Sequence, residues 1–124
     1  MVRIYKAKDS ERVSRAGYVA NYVADLKFMR SLESCGVILV EISDIGKSSP
    51  HAHEHLEEVF IILSKMMIYI NDTPYELDEG DVVIVQPGEE HSFETKNNQS
   101  GKIIALKFPN IKDDKVVKGK QNTS

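Results

Sequence analysis

The chain has one cysteine, Cys35, among 124 residues. That excludes an internal disulfide and suits a reducing compartment. Cys35 precedes a strand-like run, which points to a buried structural thiol rather than a reactive one. Excess positive charge is also missing: 16 Lys and Arg stand against 19 Asp and Glu, for a net charge of -3. Composition therefore gives no electrostatic reason to expect nucleic acid. No long apolar run is present. The stretch Val59–Leu63 falls far short of the ~20 residues of a membrane-spanning helix, so no membrane association is expected. The opening stretch MVRIYKAKDS has no apolar signal core, and a cytoplasmic protein is expected. Neither a solenoid-length repeat nor a convincing long amphipathic helix is found.

What is present is a series of short apolar, β-branched segments. They are CGVILVEIS (35–43), EVFIIL (58–63), MMIYIN (66–71), YEL (75–77), VVIV (82–85), HSFETK (91–96) and KIIALKF (102–108). Turn signals separate them: DIGKSSP, DTP, DEGD, PGEE and NNQSG. The stretch GYVANYVADL (17–26) can be strand or helix and leans towards strand. This spacing predicts an all-β sandwich or barrel. The length predicts one domain over residues 1–124, with its core at about 35–108 and a polar, frayed or extended tail at 110–124. A chain of this size buries roughly two thirds of its unfolded surface, enough for a core without staples. VFIIL and VILV are apolar at consecutive positions, so both of their faces should be covered. One face would line a barrel interior and the other would pack on a second subunit, which predicts a homodimer.

Three of the four histidines fall in SSPHAHEHLEEVF, residues 48–60. In a strand, residues two apart share a face about 7 Å apart. His51 and His53 can therefore offer two nitrogens to one ion. A straight strand from His51 to Glu58 would span ~23 Å, so the chain must bend near residues 54–56 and run back. His55 and Glu57 fall at that bend. Solvent exposure is the expectation for both, and orienting or replacing a ligand is the alternative. His91, the fourth histidine, follows the turn Pro87-Gly88-Glu89-Glu90, where glycine allows a positive φ. Glu89 and Glu90 read as a solvated turn, and Met66 and Met67 as packing residues.

These two segments resemble the motifs of the cupin family. The first cupin motif, G-x5-H-x-H-x(3 or 4)-E-x6-G, is matched by HAHEHLEEVFIILSK. Glu57 fits the shorter spacing and Glu58 the longer. Glu58 is chosen because the cupin carboxylate usually stands directly before the apolar strand. The second motif, G-x5-P-x-G-x2-H-x3-N, is matched at Gly80, Gly88 and His91. The chain departs from the pattern at turn and packing positions. Gly46 is displaced by one, Lys65 stands where the closing glycine is expected, Gln86 precedes the displaced Pro87, and Thr95 replaces the asparagine.

The resemblance implies a double-stranded β-helix, or jelly-roll, cupin barrel. It implies one divalent transition metal per chain (Fe, Mn, Ni, Cu or Zn) held by His51, His53, Glu58 and His91. Three neutral imidazoles and one carboxylate leave such a site with about one net positive charge, and the ligand list does not choose the metal. Four ligands leave positions open for a small-molecule ligand or substrate. By strand parity, Phe60 and Ile62 share the face of Glu58, and Phe93 that of His91, so these three are expected to wall the pocket. The family chemistry implied is a dioxygenase acting on a chelating substrate, or a sugar or uronate isomerase for which Glu57, Tyr69 or Tyr75 could serve as general base. A non-catalytic binding or sensor module is the alternative.

Overall fold

The computed structural model describes residues 3–29, 31, 33–42, 48–96, 99–111 and 114–116. In chain order its strands are β1 (Arg3–Tyr5), β2 (Glu11–Arg15), β3 (Tyr18–Tyr22), β4 (Gly36–Ile42), β5 (Ala52–His53), β6 (Glu57–Ile62), β7 (Met66–Ile70), β8 (Thr73–Leu77), β9 (Val82–Val85), β10 (His91–Thr95), β11 (Gly101–Phe108) and β12 (Lys115–Val116). Among the described residues there is no α-helix, only a 3-10 turn at Ala7–Asp9. Gly46, the end of the first expected strand at Ser43, and residues 117–124 of the tail lie outside the described residues.

The strands form a five-stranded sheet in the order β1-β9-β6-β11-β4 and a three-stranded sheet in the order β10-β7-β8. Two smaller pairs, β5 with β12 and β2 with β3, complete the pairing. The side chains explain the two main sheets. On β7, Met66, Ile68 and Ile70 are buried while Met67 and Tyr69 are half-exposed, the period-two pattern of a sheet with one covered face. The large sheet contributes Ile42, Phe60, Ile62, Val83, Val85, Ile103 and Ala105 to the same core. Met66, Ile68, Ile70, Leu77 and Phe93 come from the small sheet to meet them.

The turn between β7 and β8 is Asn71-Asp72, at φ 48° and 68°. It falls one residue earlier than DTP suggests. Two consecutive positive-φ residues make the tight hairpin turn whose twist suits paired strands. Pro74 then lies within β8, the outer strand of the small sheet, where a missing N–H costs no ladder bond.

Three segments depart from the sequence expectations. Residues 18–22 are strand as expected, but they form a hairpin with β2, which the apolar pattern did not reveal. Cys35 is exposed rather than buried, because it precedes the outer strand β4 and stays clear of the core. The polar tail is anchored at one point: Asp114 is buried and β12 pairs with β5. The segment at Lys6 and Ala7 is held by Asp81, which is fully buried. Its carboxylate accepts the Lys6 ammonium and the backbone N–H groups of Ala7 at 2.8 Å and Asp78 at 2.7 Å.

Candidate metal centre

Three chain segments converge at one end of the core. The loop carrying His51 pairs directly with the start of β10: His51 N–H donates to the His91 carbonyl at 3.1 Å, and His91 N–H to the His51 carbonyl at 2.9 Å. His53 lies two residues on, in β5. The expected bend follows at residues 54–56, and β6 returns with Glu58 at its second position. Gly88 fastens the second turn to the first, its N–H donating to the His53 carbonyl at 2.9 Å. Gly88 has φ 84°, a conformation that glycine adopts without strain.

Backbone carbonyls fix two of the imidazoles. A carbonyl only accepts, so the nitrogen facing it must carry the proton. His51 Nδ1 lies 3.1 Å from the Ser49 carbonyl, and His91 Nδ1 lies 3.0 Å from the Glu89 carbonyl. Each ring therefore turns a proton-free Nε2 the other way. His53 Nε2 donates to Glu58 Oε1 at 2.9 Å. His91 Nε2 stands 3.4 Å from that same oxygen, buried and with no hydrogen-bond partner. A lone pair thus faces a carboxylate lone pair in a dry place, an arrangement that a cation relieves. One ligand atom from each of His51, His53, Glu58 and His91 lies within 4.8 Å of all the others. An ion bound at ~2.1 Å from each donor needs neighbouring donors about 3 Å apart, so these residues fit a divalent metal.

The electrostatics agree with that fit. Burial alone would raise the Glu58 pKa, but the hydrogen bond from His53 and the attraction of the His53 and His91 rings together outweigh it, and the value falls to about 2. Glu58 is therefore an anion at neutral pH. Burial, with the neighbouring His91 and Lys115 acting in the same direction, lowers the His51 pKa to about 4. His51 is therefore neutral and ready to ligate.

The neighbouring residues divide clearly. Glu57 is buried, not exposed, and its carboxylate accepts the Met29 N–H at 2.8 Å on the opposite face of β6. His55 is exposed, and its Nδ1 donates to Asp114 Oδ1 at 2.8 Å. Asp114 Oδ2 takes the N–H groups of His55 and Leu56 at 2.8 and 3.0 Å, and the Asp114 carbonyl takes that of Glu54 at 3.2 Å. The 54–56 bend is thus tied to a residue 58 positions downstream of Leu56.

The site opens onto a cavity of about 260 Å³. Phe60 and Phe93 line it, with ring centroids 4.9 Å apart, and Phe60 also lies 5.5 Å from the His91 ring. Ile38, Val40 and Ile42 of β4 form another wall. Ile62 is fully buried in the core and does not line the cavity. It lies two residues, or ~7 Å, further along β6 than Phe60. Lys107 and Lys115 also line the cavity. The sequence reading missed both, although parity would have found Lys107, which alternates inward with Ile103 and Ala105 along β11.

Two packed sheets with a His/Glu cluster at one end define a double-stranded β-helix. A family model, the cupin domain, matches residues 38–107, and the chain belongs to the cupin family. Solved structures share the fold. A cupin protein from Bacteroides fragilis superposes with a TM-score of 0.58 at 19% identity, covering 75% of this chain and 78% of that one. A salicylate 1,2-dioxygenase from Pseudaminobacter salicylatoxidans gives 0.55 at 10% identity, covering 60% and 21%. A sugar phosphate isomerase of the cupin superfamily from Silicibacter pomeroyi gives 0.56 at 18% identity, covering 61% and 51%. These identities speak for fold alone, and this chain spans only part of the last two proteins. No curated protein matches the sequence. Among the described residues no helix is long and apolar enough to cross a membrane.

Proposed function

We propose that the chain is a mononuclear metalloprotein in which His51, His53, Glu58 and His91 hold one divalent transition metal (Fe, Mn, Ni, Cu or Zn) and present it to a small chelating metabolite. The observation that carries this reading is the buried, unpartnered Nε2 of His91 facing the Glu58 carboxylate at 3.4 Å. A metal there would polarise a bound oxygen donor. The chain's own residues do the rest. The Ser49 and Glu89 carbonyls hold two ligand imidazoles in the right tautomer. Phe60 and Phe93 give one side of the cavity an apolar wall.

Between the two family chemistries, dioxygenase-type conversion is favoured over isomerisation. An isomerase needs a general base at the substrate. Glu57 faces away, Tyr69 donates to Glu94 at 2.8 Å, and neither Tyr69 nor Tyr75 lines the cavity. The alternative, a non-catalytic binding or sensor protein, would use the same cavity and show ligand-induced stabilisation without turnover.

The remaining parts of the proposal are a cytoplasmic location, no nucleic-acid or membrane partner, one domain, and a homodimer. The outer strand β4 supports the dimer, since Val37 and Leu39 are 71% and 60% exposed there. A light-scattering mass equal to one chain would remove it.

The primary test is elemental analysis of untagged protein beside the His51→Ala/His91→Ala double variant. Near one equivalent of transition metal in the parent and none in the variant is expected. No metal in the parent, even after reconstitution, would overturn the reading. Oxygen uptake with a panel of chelating substrates then separates turnover from binding.

A further inference from the structure

We infer that Lys107 and Lys115 make the cavity a receptor for a small organic dianion: one chelating oxyanion head for the metal centre, and a second carboxylate or phosphate for the lysines. This inference rests on the metal-site reading.

The placement of the two lysines carries it. Lys107 stands directly across the β11–β6 ladder from Glu58. Lys115 stands directly across the β12–β5 ladder from His53. Residues opposed in this way share a face, with Cβ atoms ~5 Å apart. His53 and Glu58 are themselves joined at 2.9 Å. The two lysines therefore stand beside the same pair on neighbouring strands, and both line the cavity. Among the described residues neither lysine is in an ion pair with a carboxylate, so their charge is not already spent within the site.

The charges then add up in one direction. A divalent ion, one carboxylate and two ammonium groups sum to about three positive units around a cavity with apolar walls. Low-dielectric walls strengthen that field inside the cavity, and a dianion leaves it close to balance. A neutral diketone or sugar would leave both lysines without a counter-charge. The cavity, at about 260 Å³, suits a small metabolite.

The test compares malate with 2-hydroxybutyrate on metal-reconstituted protein by titration calorimetry. The two probes share a four-carbon 2-hydroxyacid head and differ in the second carboxylate. Malate is expected to bind at least tenfold more tightly. In K107M/K115M the preference should fall to within twofold while metal content stays unchanged, and K107R/K115R should restore it. Equal affinities in the parent, or a malate preference that survives K107M/K115M, would overturn the inference. A parent that takes up no metal yet shows the lysine-dependent preference would overturn the metal reading and leave the lysine receptor standing.

Discussion

Glu57 and Glu58 are adjacent in sequence and serve opposite faces of β6. Glu58 faces inward to His53 at 2.9 Å, while Glu57 faces outward and accepts the Met29 N–H at 2.8 Å. The two carboxylates should therefore separate function from stability. Glu58→Ala should abolish stoichiometric metal binding. Glu57→Ala should keep the metal but cost about 1–3 kcal/mol, because it leaves a part-buried N–H without its acceptor. Metal analysis and urea unfolding of the two variants check this. Metal loss in Glu57→Ala with full retention in Glu58→Ala would reverse the assignment.

Acid should act on the site in two stages. The unfolded His51 takes up its proton near 6.5, while the folded one resists until about 4. Through that window the unfolded chain binds more protons, so stability of the metal-free protein falls as pH falls. Glu58 adds a later stage. Its contribution is present above its ordinary 4.5 and is lost as pH drops towards about 2. Metal affinity of the folded protein should fall as pH drops towards about 4, where His51 takes up its proton, since ligating imidazoles must be neutral. Urea midpoints and chelator competition across this range check both. His51→Gln should remove part of the upper stage, and affinity that does not change with pH would contradict a three-histidine site.

Asp114 should behave as a positioning residue. Its carboxylate holds the N–H groups of His55 and Leu56, midway between the His51/His53 pair and Glu58. Asp114→Ala should weaken metal binding by about 10–100-fold, the usual range for residues that orient ligands. Asp114→Asn, which keeps one acceptor, should recover part of it. A purely structural role would lower the unfolding midpoint and leave the affinity of the folded protein unchanged.

Gly88→Ala should cost about 1–2 kcal/mol, because it places a Cβ on a residue at φ 84°. No atom would clash with that Cβ, so the cost is conformational. If the turn shifts to relieve it, the bond from Gly88 N–H to the His53 carbonyl stretches and metal affinity falls as well. Unfolding and metal titration of the variant, done together, separate these two effects.

The strands and the cupin pattern were legible because they depend on local periodicity and on fixed spacings. His51, His53 and His91 could be singled out from a single chain for that reason. The choice between Glu57 and Glu58 was harder. Parity says that they face opposite ways but does not say which way is inward, since that depends on how sharply residues 54–56 bend. Parity also says nothing of depth, and so it grouped Ile62 with Phe60 although only Phe60 reaches the cavity. The Asp114 tie could not be read, because a polar residue in a polar tail gives no sign of a partner near residue 55. Lys115 was hidden for the same reason. Its role depends on β12 finding β5, a pairing of two residues on each side.

The segment that fastens the histidine bend also delivers a cation to the cavity mouth, Asp114 performing the first task and Lys115 the second. Joining the two in consecutive residues would make metal and anion occupancy thermodynamically linked. An anion gripping Lys115 also holds the bend that positions His53, and an ordered bend also holds Lys115 in reach of the anion. The two affinities must then rise by the same factor, whichever ligand arrives first. Malate should slow the loss of metal to a chelator, and metal loading should tighten malate by an equal ratio.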